Sequence, residues 1–311
     1  MTFNFDNSLL SNFCRCEAAA IAEYFFGLRS KGAKVARDMG TAYHEALELH
    51  YSGQPKRVVV EKFEAEYNKV VPAGEQPEEL RFERSNCIKI MERFCDVRPV
   101  EKAPFIPIEM EKIKGCAIDP DGEFVFWVKR DMLVKDKQSG LISPVDHKTT
   151  GNLTAWWARK FRLTSQMTGY CWMTGKEYNQ IVADCYINGI EIKKLPDSMK
   201  RCPKHKVKYI ECGIEHAKFE LYQYNRTQEQ LEKWKQDALV IARKAELLSR
   251  AFTSIDMLPY ALRNGAFNEG CVFCDFKECC VAGFNPKIVE SLCTVDLWEP
   301  WAKDEAERID T

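Results

Sequence analysis

The sequence predicts an α/β protein: a mixed central sheet flanked by helices, with a helical insertion and a cysteine-rich lobe near the C-terminus. Three observations lead there. Residues 8–98 carry apolar side chains at helical spacing, and after Pro104 the period changes to that of strands. Helical patterns then return around one further strand-like run, before cysteines crowd into 271–293. A chain of 311 residues can bury a large core and suits one elaborated domain.

The elements follow in order. "SLLSNFCRCEAAAIAEYFFGLRS", residues 8–30, predicts a first helix, and "VARDMGTAYHEALELHYSG" a second after a short Lys/Gly break. Residues from about 56 to 103 form a charged helical insertion, "VVVEKFEAEYNKVV" and "ERSNCIKIMERFC" flanking a Pro/Gly/Glu-rich link at Pro72–Pro77. The core, about 105–195, opens with "PIEMEKIKG", "GEFVFWVKRDMLVKD" and "GLISPVDHKTT", a three-stranded meander punctuated by the turn signals "DPDG" and "KQSG". "NLTAWWARKFRLTSQMTGYCWMTGK" predicts a helix, "QIVADCYINGIEI" a strand, and "TQEQLEKWKQDALVIARKAELLSRA" a long helix starting at a Thr cap. A cysteine lobe at about 260–293 completes a single domain of residues 1–293, and 294–311 is an acidic tail.

A formal charge of −1 excludes a uniformly basic protein, so any polyanion contact must come from local patches. No apolar run approaches the roughly 20 residues of a membrane span. "MTFNFDNSLL" lacks a basic flank followed by an apolar stretch, which points to a cytoplasmic protein with no membrane partner. Disulfides rarely persist in a reducing cytosol. Fourteen cysteines there imply metal ligands and buried thiols.

The stretch "SPVDHKTTG" carries the chemistry. Strand alternation puts Asp146 and Lys148 on one face and His147 on the other. Alone, such a pair is an exposed ion pair worth about 0–1 kcal/mol. Asp131, on the preceding strand, changes that reading, because antiparallel neighbours joined by a short turn bring it beside Asp146. Two adjacent carboxylates repel unless a cation sits between them, and hard Mg²⁺ or Mn²⁺ takes carboxylates, waters and phosphate oxygens. Lys148 beside that cation can orient a water and stabilise charge building on a phosphorus.

Asp131, Asp146 and Lys148 resemble the D…D/E-x-K signature of the restriction-endonuclease-like, or PD-(D/E)xK, nuclease superfamily. Further features are similar to its RecB-like exonuclease branch. "GTAYHEALE" resembles the helix that carries a histidine metal ligand, at His44, and "SQMTGY" resembles the Q-x-x-x-Y motif, at Gln166 and Tyr170. Glu109 in "PIEM" falls where members often carry another acid, although Glu111 lies on the same strand face. "EGCVFCDFKECC" holds Cys271, Cys274 and Cys280 at C-x2-C-x5-C spacing. With Cys16 in "SLLSNFCRCE" it resembles the ligand set of the iron–sulfur members, the CRISPR-associated exonucleases and the nuclease domains of AddB-type helicase–nucleases. The resemblance spans about residues 8–280, without a counterpart for the insertion.

That resemblance implies a restriction-endonuclease-like fold and a Mg²⁺- or Mn²⁺-dependent DNA exonuclease acting on single-stranded or end-frayed DNA. His44, Asp131 and Asp146 would hold the metal with Glu109 as helper, Lys148 would position the water and stabilise the transition state, and Gln166 and Tyr170 would hold DNA. Cys16, Cys271, Cys274 and Cys280 would bind a [4Fe–4S] cluster. Cys16 is preferred to Cys14 because Ser8 stands eight residues ahead, although Glu17 replaces the usual proline; Cys280 is preferred to Cys279 by spacing. Zinc on four cysteines is the rival, and Cys202, His205, Cys212 and His216 form a second zinc-like spacing. In "TAWWARKFR", Trp156, Trp157 and Phe161 interleave with Arg159, Lys160 and Arg162, which suits stacked bases and phosphates of a single strand. Lys193–Lys208 is a basic run that reads as a solvated loop or a phosphate-tracking patch. A helicase or another recombination or CRISPR protein is the expected partner, in recombination, repair or phage DNA metabolism. An endonuclease on branched or CRISPR-type substrates and a non-catalytic DNA-binding subunit are the alternatives.

Overall fold

The computed structural model describes residues 2–31, 35–71, 77, 79–180, 182, 184–195, 200–203, 205–208, 217–272 and 274–309. After β1 (Phe3–Asp6), α1 (Asn7–Arg15) starts on Asp6, whose carboxylate accepts from the Leu9 N–H at 2.8 Å. The helix expected over residues 8–30 is two helices, because Cys16 is extended (φ −162°, ψ 115°) before α2 (Glu17–Tyr24). The C-terminal lobe docks at this break: the Glu17 N–H donates to Asn264 Oδ1 at 2.7 Å and that of Ala18 to the Leu262 carbonyl at 3.0 Å. A short β2 (Leu28–Ser30) follows, then α3 (Val35–Tyr51), α4 (Lys56–Val70) and α5 (Arg84–Val97).

The expected meander is instead two sheets joined at a corner. β3 (Phe105–Met110) and β4 (Ile113–Ala117) come from one run, β5 (Phe124–Lys129) and β6 (Met132–Asp136) from the next. β3 pairs with β6 and β4 with β5, so both runs pass from one sheet to the other at Glu111–Lys112 and Arg130–Asp131. The Glu111 N–H to Asp131 carbonyl bond, 3.1 Å, spans this corner. Alternation in sequence gives no sign of the switch.

β7 (Ile142–Thr150), α6 (Ala155–Arg159), α7 (Ser165–Tyr178), β8 (Asp184–Glu191), β9 (Phe219–Asn225) and α8 (Gln228–Ala251) continue the chain. The five-stranded sheet has order β3-β6-β7-β8-β9, antiparallel except for the parallel β7–β8 pair. The segment 152–176 is two helices rather than one, with a Thr154 cap on α6. Thr227 and Gln230 form a reciprocal capping box on α8, in accord with its predicted start. The lobe adds α9 (Lys277–Val281) and α10 (Pro286–Leu292). The segment expected to be only an acidic tail carries most of β10 (Cys293–Val295) and all of β11 (Ala306–Ile309), which pair with β2 and β4. The second sheet runs β1-β5-β4-β11.

The five-stranded sheet is buried on both faces. Cys185 and Ile187 on β8 join the core formed with α1, α2, α7 and α8, while Tyr186 joins a second core with Phe63, Tyr67 and Phe94 of α4 and α5. The helical insertion is therefore one wall of the fold, packed with α3 over the active strand. Among the described residues no helix is long and apolar enough to cross a membrane.

Candidate active site

The sheet corner and two helices build the site. β6 pairs Met132 with Val145, so Asp131, one residue ahead, lies beside Asp146 as strand pairing predicts. The His147 main-chain N–H donates to Asp131 Oδ2 at 2.6 Å. From α3, His44 Nδ1 lies 3.4 Å from the same oxygen. Glu111 completes the group: ligand atoms of His44, Glu111 and Asp131 lie within 4.8 Å of one another. Glu111 has φ +53°, uncommon for a residue with a side chain, and such backbone is retained where its surroundings enforce it.

Asp146 is 1 % exposed. Lys148 Nζ stands 2.5 Å from its Oδ2, a close contact between ammonium and carboxylate. Gln166 Nε2 donates to Oδ1 at 3.2 Å and to the Tyr170 hydroxyl at 3.1 Å. The Tyr170 hydroxyl donates to the Lys129 carbonyl at 2.7 Å, and its ring is 6 % exposed. Tyr170 therefore lies largely buried beneath the site, and Gln166 steadies Asp146.

Charge in the site is strained. Burial raises Asp146 to about 6, opposed by Lys148 and reinforced by the neighbouring Asp131 carboxylate. Burial acts against the His44 cation, yet Asp131 outweighs it and lifts the imidazole to about 8. Burial also pushes Asp131 up, but His44 and Lys148 overcome it and hold the carboxyl below its usual range. Burial and the charge of Asp131 raise Glu111, which rests 2.6 Å from Lys129. Three acids, two lysines and a histidine converge here, and ligand atoms of His44, Glu111 and Asp131 within 4.8 Å of one another fit a divalent cation.

Glu109 is not part of this group. It pairs with Arg130 Nη2 at 3.1 Å, and Glu177 takes the same nitrogen at 2.5 Å. β3 bends at its end, so the acid two residues later, Glu111, reaches His44 and Asp131 instead. Arg130, 1 % exposed, anchors the residue before Asp131. Arg130→Met should cost about 3–5 kcal/mol, because two acids lose their buried partner. Urea unfolding measures it; unchanged stability would show the pair to be incidental.

Nearby, the aromatic run divides. Trp157 and Phe161 are core residues, whereas Trp156 is 81 % exposed. Lys160 lies over both core rings, at 4.9 and 4.8 Å, and Arg159 is exposed on α6. In the basic run Lys193 pairs with Glu191 and Lys194 with Glu83, and Lys204 lies outside the described residues. Cys212 and His216 of the second zinc-like spacing also lie outside them.

In the lobe, Cys16 is buried and Cys271, Cys274 and Cys280 are half-buried. Burial pushes the Cys274 and Cys280 thiols up, and both also feel Cys16 and Cys271. Gly265 packs on Cys16 so closely that a Cβ there would sit 3.1 Å from the cysteine's own Cβ. Cys14 is exposed, and Cys279 is buried with its sulfur 3.8 Å from that of Cys293.

A family model described as the PD-(D/E)XK nuclease superfamily matches residues 7–281, from the start of α1 to the end of α9. No curated protein matches the chain.

Proposed function

The chain belongs to the PD-(D/E)XK nuclease superfamily, and on that premise we propose that it is a DNA exonuclease acting on single-stranded or end-frayed DNA. The convergence of His44, Asp131, Asp146 and Lys148 at one point carries this reading. His44, Asp131, Asp146 and Glu111 would hold Mg²⁺ or Mn²⁺, which supplies Lewis acidity at the phosphate oxygen. Lys148 orients the attacking water and stabilises charge building on the phosphoryl oxygens. The water oxygen bonds to phosphorus, the ester P–O bond breaks, and the water's proton ends on the leaving hydroxyl.

Trp156 supports a single-stranded substrate, since an exposed indole directly after the active strand offers a stacking platform beside Arg159 and Lys160. A helicase or another recombination or CRISPR protein would supply unwound ends. The reading includes a [4Fe–4S] cluster on Cys16, Cys271, Cys274 and Cys280. That set is the one the resemblance implies; Cys279 packs with its sulfur 3.8 Å from that of Cys293, and Cys14 is exposed.

The test is degradation of end-labelled linear single-stranded DNA with Mg²⁺ or Mn²⁺, beside Lys148→Ala and a circular single strand. Loss of the linear substrate alone, by wild type alone, is expected. Cutting of the circle would make the enzyme an endonuclease, and equal cutting by Lys148→Ala would remove the active-site assignment.

A further inference from the structure

We propose that His147, held by Asn188 and Tyr51, is a positioning residue that sets the orientation in which His44 meets the metal. The inference rests on the metal-centre reading above. His147 is 3 % exposed, on the β7 face opposite Asp146 and Lys148. Its ring stacks on Tyr51, with centroids 5.4 Å apart and planes 6° apart, and meets His44 edge-on at 5.8 Å and 88°. His44 and Tyr51 stand two turns apart on α3, so the imidazole is wedged between two residues of the helix that delivers the ligand.

Asn188 fixes the wedge from the neighbouring strand. It is paired with His147 in the β7–β8 register and is 2 % exposed. Its Nδ2 lies 2.9 Å from His147 Nδ1 and 3.4 Å from the Tyr51 hydroxyl. Both amide hydrogens are thereby given away, which makes His147 Nδ1 an acceptor and its imidazole neutral. An apolar pair would fill this space beside the second core without the cost of burying polar groups. What the polar pair adds is a fixed ring angle. The same residue's main-chain N–H reaches Asp131 Oδ2, so position 147 touches two of the ligands at once. Groups that orient a metal's ligands typically change affinity about 10–100-fold when removed.

Calorimetric titration of the full chain with Mn²⁺, for wild type, Asn188→Leu and His147→Phe, tests this. His147→Phe keeps the stacked ring and the main-chain donor, and it serves if Asn188→Leu does not fold. Both variants should bind Mn²⁺ about tenfold or more weakly, and raised Mn²⁺ should restore most of the cleavage rate. A purely structural role would lower the unfolding temperature and leave the Mn²⁺ affinity of the folded protein unchanged, which would overturn the proposal. If the wild type itself binds no Mn²⁺, the metal-centre reading fails first and this inference falls with it.

Discussion

An Asp146→Ala protein is expected to bind single-stranded DNA as the wild type does and to cut it at least about a thousandfold more slowly. The reason begins with what this carboxylate does to the fold. Asp146 is buried at 1 % exposure, and that burial raises it to about 6. A buried acid of this kind is held against its own preference, so packing alone does not explain it. Its partners are Lys148 at 2.5 Å and Gln166 at 3.2 Å, one for charge and one for direction. Removing the carboxylate leaves Lys148 facing Asp131, so the ammonium keeps a counter-charge but loses its position. The unfolding temperature should stay close to that of the wild type while activity collapses. Gel-shift binding, end-label cleavage and circular dichroism on the same preparation separate the outcomes. Retained cleavage would sink the assignment, and loss of fold with loss of binding would reduce Asp146 to a structural acid.

How much of this was legible in the sequence differs residue by residue. Asp131, Asp146 and Lys148 were legible because strand alternation and a short turn are local, and the Met132–Val145 register delivers them as the pattern implies. His44 was legible only through a resemblance, because nothing in a helix's own sequence says which strand it will cover. Glu111 and Glu109 share a face on an ideal strand, and the bend that separates them depends on a second sheet. The Trp156–Trp157 pair posed the same problem: adjacent aromatics on a short helix are told apart by what packs on them, here Phe161 and Tyr222 against Trp157. β1, β10 and β11 escaped notice because three or four residues carry too little periodicity, and their partners lie far along the chain. His147 was placed correctly on the opposite face, but the packing of α3 there is a tertiary fact. The insertion looked like a decoration for the same reason, and it is a wall of the core.

The largest effect on stability is expected at the cysteine lobe, where Cys271→Ser should give a colourless protein that unfolds far more readily than a brown wild type. Cys16 lies at the break between α1 and α2, and Cys271, Cys274 and Cys280 lie beyond α8, so the proposed cluster would tie the two ends of the nuclease domain together. Cross-linking a loop from residue 16 to residue 271 removes unfolded-chain entropy worth about 5 kcal/mol in the simple loop model, before the iron–thiolate bonds are counted. A folded domain has only about 5–15 kcal/mol in hand, so loss of this tie should leave the lobe frayed or the whole chain aggregating. Protein contacts also hold the lobe: the Asn264 and Leu262 bonds to residues 17 and 18, the Asn268 side chain on the Arg15 carbonyl at 3.1 Å, the β10–β2 pairing, and Phe276, Cys279, Phe284 and Val289 in the main core. Cys14→Ser should leave the colour intact, because Cys14 is exposed. Cys279→Ser should keep the iron as well and lose only packing against Cys293. Visible absorbance, iron and acid-labile sulfide content, and thermal unfolding decide the matter. A colourless wild type containing zinc would replace the cluster by a single ion, and a Cys271→Ser protein with full iron and unchanged stability would remove Cys271 from the ligand set.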